Sequence, residues 1–440
     1  MLKINKEEKD IFLLSTSSLI AQLIPVFASI ILARIYTAEQ YGNWGIFLSY
    51  VGILSIIVMG QYEMAIVRPF SAKESTDIVY LCALLGFSWM VLCYLVVLIL
   101  DYMNINYFYS IPCPYLLPIY VFLSGLLQIY LHYANRTESY AIIAISGILR
   151  NICQAISRII IGLSQVFHGL IFGALIGLLS SILYSEHKLL IQHIFSQKPD
   201  WKRIKLVAYR YRYFPMYLMP SSLLNALSTN LPVILLTTYF EKEYIGYFSM
   251  TISLLFIPIQ LIGNAISKIF YKKSSLQNNQ EEVQNLSYKL FKITFSIGLL
   301  INIILLIGSE SLFTLVLGSE WRISGIYALF LSPWIWMTLC FSPLSVIFDS
   351  RDKQFIEFIF NIILFISRLS VISYGGYILK NMDMTVLLYG VCGFIIWGIE
   401  GYVIFKIIGF SFASKQKILV LGILLITIIL WIIKTIYVLA

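Results

Sequence analysis

The stretch IFLLSTSSLIAQLIPVFASIILAR (residues 11–34) carries a single charge, at its last position, and Pro25 is its only helix breaker. A helix needs ~20 apolar residues to cross the hydrocarbon of a bilayer, so this run is long enough. It is too long for the core of a signal peptide, and no small-residue cleavage motif follows it, so it is read as an uncleaved first span. Comparable runs recur near 44–62, 78–100, 115–134, 139–164, 166–186, 214–238, 246–268, 288–308, 325–349, 355–378, 384–406 and 417–438. Charged residues make up 12% of the chain, about half of the ~25% usual in soluble domains. A β-barrel would instead show segments of roughly ten residues with period-two alternation. The sequence therefore predicts an all-α polytopic membrane protein of about 12–13 transmembrane helices.

The basic residues orient these spans. With the N-terminus in the cytoplasm, 22 of the 31 Lys and Arg residues fall in inside segments and four, Lys242, Arg322, Lys380 and Lys434, fall outside. That asymmetry is what the positive-inside rule expects. It also accounts for most of the +9 formal charge without nucleic acid, leaving membrane lipids as a partner for the basic surface. The longest polar insert, 187–213, divides the chain into an N-terminal lobe of six spans (1–200) and a C-terminal lobe (201–410), with 411–440 as an additional helix. Five cysteines lie in spans and Cys113 in a loop, with no CxxC motif or Cys/His cluster, so neither a disulfide framework nor a metal site is expected.

The lobes begin alike. ILARIYTAEQYGNWGIF (31–47) and ILLTTYFEKEYIGYFSM (234–250) align Tyr36 with Tyr239 and Tyr41 with Tyr244; Gly60 and Gly263 keep the same offset. Pro25 and Pro232 hold similar mid-span places. Six spans per lobe, both starting inside, make parallel repeats, an internal symmetry found in secondary transporters.

Within the apolar spans, SGILRNICQAISRIIIGL (146–163) stands out. On a helical projection Ser146, Gly147, Arg150, Asn151, Gln154, Ser157 and Arg158 fit in an arc of about 140°. An arginine facing lipid at mid-span would cost at least ~2.5–3.5 kcal/mol, so this face demands a hydrated cavity or an anionic partner. Arg158 has the alternative of snorkelling to the outer interface. Gln260, Asn264 and Lys268 form a second polar stripe, and Glu357, Asn361 and Arg368 a third; Lys268 has its own snorkelling route, inward beside Lys272 and Lys273. Arg34 ends the first span on the outer side, against the charge rule. Acids within spans are few: Glu63, Glu357 and Glu400. Guanidinium groups bind phosphate oxygens without a metal, so such a path suits an anionic substrate.

The segment LARIYTAEQYGNWGIFLSYVGILSIIVMGQYEMAIVRP (32–69) resembles the start of Wzx-type oligosaccharide flippases of the multidrug/oligosaccharidyl-lipid/polysaccharide exporter superfamily. The resemblance rests on Glu39, Tyr41 and Gly42, on Tyr62, Glu63, Ala65, Ile66, Val67 and Pro69, on LHYANRTESY (131–140) and on the pair Gly246–Tyr247. It implies two six-helix lobes around a central cavity, working by alternating access in a bacterial inner membrane. The implied substrate is an undecaprenyl-pyrophosphate-linked oligosaccharide for O-antigen or capsule, with a polysaccharide polymerase and a chain-length regulator as partners. In that setting Arg150, Arg158, Arg34, Arg368 and Lys268 would form a cationic binding surface. Asn151, Gln154, Asn225, Asn264 and Asn361 would meet sugar hydroxyls. Glu63 and Glu357 are candidates for coupling to a proton or Na⁺ gradient, with no other cofactor. The thirteenth span departs from the commonest twelve-span form.

Two rival readings are a drug or ion antiporter of the same superfamily and a membrane polysaccharide polymerase or ligase. Antiporters would more typically carry carboxylates central to the first bundle, which are missing. An enzyme would need a sizeable outside loop or a His/Asp centre, whereas outside loops are short and His132, His168, His187 and His193 lie at span ends or in the cytoplasmic insert. The expectation is a transporter and not an enzyme.

Overall fold

The computed structural model describes residues 6–69, 71–105, 110–189, 200–276, 280–410 and 414–439. The described residues are predominantly helical, and none of them forms a strand. In chain order they form α1 (Lys6–Leu32), α2 (Ala38–Ile57), α3 (Ala72–Tyr102), α4 (Leu117–Arg136), α5 (Tyr140–Leu163), α6 (Gly169–Leu189), α7 (Trp201–Arg210) and α8 (Met219–Leu236). There follow α9 (Lys242–Leu255), α10 (Asn264–Leu276), α11 (Gln280–Leu317), α12 (Arg322–Phe341), α13 (Ile347–Ser350), α14 (Gln354–Ser373), α15 (Met382–Ile408) and α16 (Ser414–Leu439). Eleven helical segments among the described residues are long and apolar enough to cross a membrane. The predicted first span contributes a shorter apolar stretch, Ile20–Leu32. The second begins six residues earlier than expected, because Thr37 and Gln40 form a reciprocal capping box at the start of α2.

Prolines act unequally. Pro25 and Pro232 lie inside α1 and α8, which continue through them. Pro258 coincides with a break, as α9 stops at Leu255, a π turn spans Ile259–Gly263 and α10 resumes. At 38 residues, α11 is about 57 Å long, far more than a bilayer core requires; it kinks where Gly308 leaves helical geometry. In α12 Pro333 removes the N–H that would reach the Leu329 carbonyl four residues back. The Trp431 indole of α16 donates to that carbonyl at 2.8 Å, and the Ser332 hydroxyl donates to it at 2.9 Å. Carbonyls in hydrocarbon have no water to turn to, so this replacement keeps α12 continuous.

The chain divides into two compact units, 1–234 and 235–440. Unit 1 is organised around Phe47, Met59, Ile66, Ile78, Cys82, Val121 and Leu178, all nearly fully buried. Its helices α5 and α6 approach closely along Gly169, Gly173 and Gly177, a small-residue stripe of the kind that drives helix packing in lipid. Unit 2 has an aromatic core in which Phe291, Phe341 and Phe405 contact one another at centroid distances of 5.1–5.6 Å. The repeat is visible within each unit. Tyr36, in the turn after α1, lies against Gly162 at the end of α5, and Tyr239, in the turn after α8, lies against Gly376 in the π turn that ends α14.

Candidate functional site

Unit 1 contains a cavity of about 310 Å³ lined by α2, α4, α5 and the turn after α2. Gly60 and Gln61 both have left-handed backbone, with φ of 61° and 62°, so the chain reverses abruptly and enters a 3-10 helix, Tyr62–Val67. That reversal delivers Gln61 and Glu63 to the cavity wall, where both are buried. Arg136 at the end of α4 donates to the carbonyls of Ile66 and Pro69 and fixes the far end of the 3-10 helix. The two sequence segments YEMAIVRP and LHYANRTESY therefore meet in space through one guanidinium.

Arg150 reaches the same cavity from α5 and is half-buried. Ser124, Gln128 and His132, spaced four apart on α4, line the opposing wall. Arg150 and Glu63 share the cavity without an ion pair. Glu63 leaves its Oε2 atom buried without a hydrogen-bond partner.

The other predicted residues are distributed more widely. Asn151 donates to the Ala21 carbonyl at 2.6 Å and joins α5 to α1. Gln154 is half-buried and packs where Gly177 lets α6 approach. Arg158 neither snorkels nor enters the Arg150 cavity. It is buried, donates from Nε to the Leu170 carbonyl at 3.0 Å, and lays its guanidinium 4.3 Å from the centroid of Trp44. Tyr36, Tyr41 and Tyr120 are within electrostatic reach, while its Nη2 has no hydrogen-bond partner. Arg34 is exposed in the turn after α1, and Asn225 is exposed on α8.

In unit 2, Arg368 sits 5.6 Å from the centroid of Trp334 and 5.5 Å from that of Tyr389, a cation–aromatic arrangement on α14. Asn361 is half-buried on the same helix, and Glu357 lies within electrostatic reach of Glu400 on α15. Asn264 and Lys268 fall on α10, and their side chains lie outside the described residues. Within unit 1 the structure thus brings Arg150 and Glu63 to one cavity and gives Arg158 and Asn151 surroundings of their own. Sequence reasoning missed the Ser124–Gln128–His132 stripe, whose four-residue spacing is a readable signal, and the aromatic partners of Arg368, which come from other helices. No group of His, Cys, Asp or Glu suited to a metal occurs among the described residues.

Solved structures share this fold at low identity. An inward-facing multidrug resistance MATE family transporter of the MOP superfamily superimposes with a TM-score of 0.66 at 13% identity, covering 88% of this chain and 94% of its own. The lipid II flippase MurJ, in an inward closed conformation, gives 0.66 at 14% identity, with 96% and 98% covered. A MATE transporter of Vibrio cholerae gives 0.54 at 12% identity, with 90% and 96% covered. No curated protein matches the sequence. The family profile described as polysaccharide biosynthesis protein matches residues 31–324, which include Glu63, Arg150 and the whole cavity between them. A multi-pass helical chain with the fold of the MOP transporters and flippases, it belongs to the polysaccharide biosynthesis protein family.

Proposed function

We propose that the protein translocates an undecaprenyl-pyrophosphate-linked oligosaccharide from the inner to the outer leaflet of a bacterial inner membrane, by alternating access, for O-antigen or capsule assembly. The observation that carries this reading is Arg150, a guanidinium lining a cavity and forming no ion pair among the described residues, in a chain of the polysaccharide biosynthesis family. A guanidinium in that setting binds diphosphate oxygens in bidentate fashion. Gln61, Gln128 and His132 offer hydrogen bonds to sugar hydroxyls. Glu63, buried on the wall of the same cavity, is the group we assign to coupling with a proton or Na⁺ gradient. The N-terminus is cytoplasmic, and a polysaccharide polymerase and a chain-length regulator receive the product.

Deleting the gene and locating the lipid-linked repeat unit tests the function. Build-up on the cytoplasmic face is expected. Build-up of unpolymerised units on the outer face would make the protein a polymerase instead. For the residue, Arg150→Ala at equal protein level is expected to lower surface polysaccharide at least tenfold, with partial recovery in Arg150→Lys; unchanged output from Arg150→Ala removes Arg150 from the site.

A further inference from the structure

A second cavity of unit 1, about 370 Å³, is lined by Arg68, at the end of the 3-10 helix that holds Glu63, and by residues 213–221. Arg68 caps the C-terminal end of that helix, and a π turn, Phe214–Leu218, packs against it, with Pro215 beside Gly60. Arg68 places its guanidinium 4.8 Å from the centroid of Phe214, the buried floor of the cavity, and forms no ion pair among the described residues. Tyr213 and Tyr217, one helical turn apart, stack with centroids 6.0 Å apart and planes 16° from parallel. Both are more than half exposed, so their ring faces are open to a ligand. Arg212 adds a second guanidinium 5.6 Å from Tyr213, and Ser221 completes the lining.

A planar aromatic pair, a guanidinium held in place by a ring and a nearby hydroxyl match a sugar ring joined to phosphate. The ring faces take the apolar face of a pyranose, and the guanidinium takes the phosphate oxygens. Resting on the function proposed above, we propose that this pocket is a loading site, where the sugar-diphosphate headgroup of the lipid-linked substrate is held before it enters the Arg150 cavity. Both pocket segments belong to stretches assigned to the cytoplasmic side, where such a headgroup is made. The placement also gives the pocket a route to the coupling group: Glu63 and Arg68 are five residues apart on one short helix. A headgroup that pulls on Arg68 therefore shifts the helix that positions Glu63.

The test uses the full-length protein in phosphatidylcholine nanodiscs and a radiolabelled farnesyl diphosphate carrying N-acetylglucosamine. The wild type is expected to bind it, and inorganic pyrophosphate to compete. Arg68→Ala and Tyr217→Ala are each expected to weaken binding about tenfold, while Tyr217→Phe, which keeps the stacking face, stays within twofold. Failure of the wild type to bind, equal binding by all variants, or displacement by added phosphatidylglycerol as effective as by pyrophosphate overturns the loading site. Displacement by the phospholipid would mark a contact with bulk anionic lipid instead. Deletion phenotype and binding keep the two readings apart. Cytoplasmic build-up without probe binding overturns this pocket alone; probe binding without build-up overturns the flippase reading and leaves a sugar-diphosphate site standing.

Discussion

Arg150 and Arg158 project onto the same arc of α5, separated by 80° on an ideal helix, yet they do different things. The helical projection carries no knowledge of neighbours. Beside Arg158, Gly173 of α6 removes the side chain that would otherwise occupy its space, so the arginine sinks into protein and satisfies the Leu170 carbonyl. Beside Arg150 a cavity remains. Arg158→Met keeps the volume and removes a buried charge, a change that is often neutral or stabilising; transport is expected to persist in it, as measured by surface polysaccharide. Gly173→Ala places a methyl 2.5 Å from the Arg158 Cγ and 2.9 Å from its backbone nitrogen, and a cost of about 1–3 kcal/mol should show as a lower melting temperature in detergent. Glu63 adds a test of coupling. Glu63→Gln keeps the size of this buried side chain and removes its charge, and is expected to abolish the response of transport to an imposed proton gradient; an unchanged response removes Glu63 from proton coupling.

At the scale of elements, the spans were legible because hydropathy is local, and their ends were less so because caps and packing are not. The capping box at Thr37 was written in the sequence as TAEQ, but it lay before the apolar run and shifted α2 outward. α7 was read as part of a polar insert because WKRIKLVAYR is rich in charge. Its periodicity is nonetheless helical: Ile204 and Val207 are buried, Asp200 caps the start by accepting from Lys202 and Arg203 backbone N–H groups, and Arg210 pairs with Glu74 of α3 at 2.8 Å. Asp200→Ala is expected to cost about 1 kcal/mol and to raise proteolysis within 187–213 before any other segment. The glycine stripe on α6 was equally readable, as three glycines at four-residue spacing, and it explains why α5 and α6 pack so closely. Of Pro25, Pro232 and Pro258 only the last coincides with a helix break, because Pro258 is followed by a π turn while α1 and α8 carry theirs within continuous helix.

For the whole molecule, the repeat was legible from three aligned positions, and the structure shows what one of them, Tyr36 with Tyr239, packs against. Tyr36 packs on Gly162 near the end of α5 and Tyr239 on Gly376 in the π turn that ends α14, so the two aligned tyrosines have similar packing roles in their units. The hydroxyl of Tyr36 also donates to the Arg158 carbonyl at 2.7 Å. The orientation is open to a direct measurement: in a cysteine-free background, Ser164→Cys should react with a membrane-impermeant maleimide on intact cells, and Lys202→Cys only after permeabilisation. Reversed labelling would invert the topology and with it the side on which substrate is loaded. The final helix has a role that its position at the end of the chain conceals. Because the Trp431 indole stands in for the N–H that Pro333 lacks, α16 and the proline of α12 form a mutual dependency. Since the Ser332 hydroxyl is a second donor to the same carbonyl, Trp431→Phe should be most costly when combined with Ser332→Ala beside Pro333, and much less so once Pro333→Ala restores the backbone bond. Among relatives, a chain that has shed the last helix should have shed the proline as well, so the thirteenth span would be inherited together with the defect it repairs.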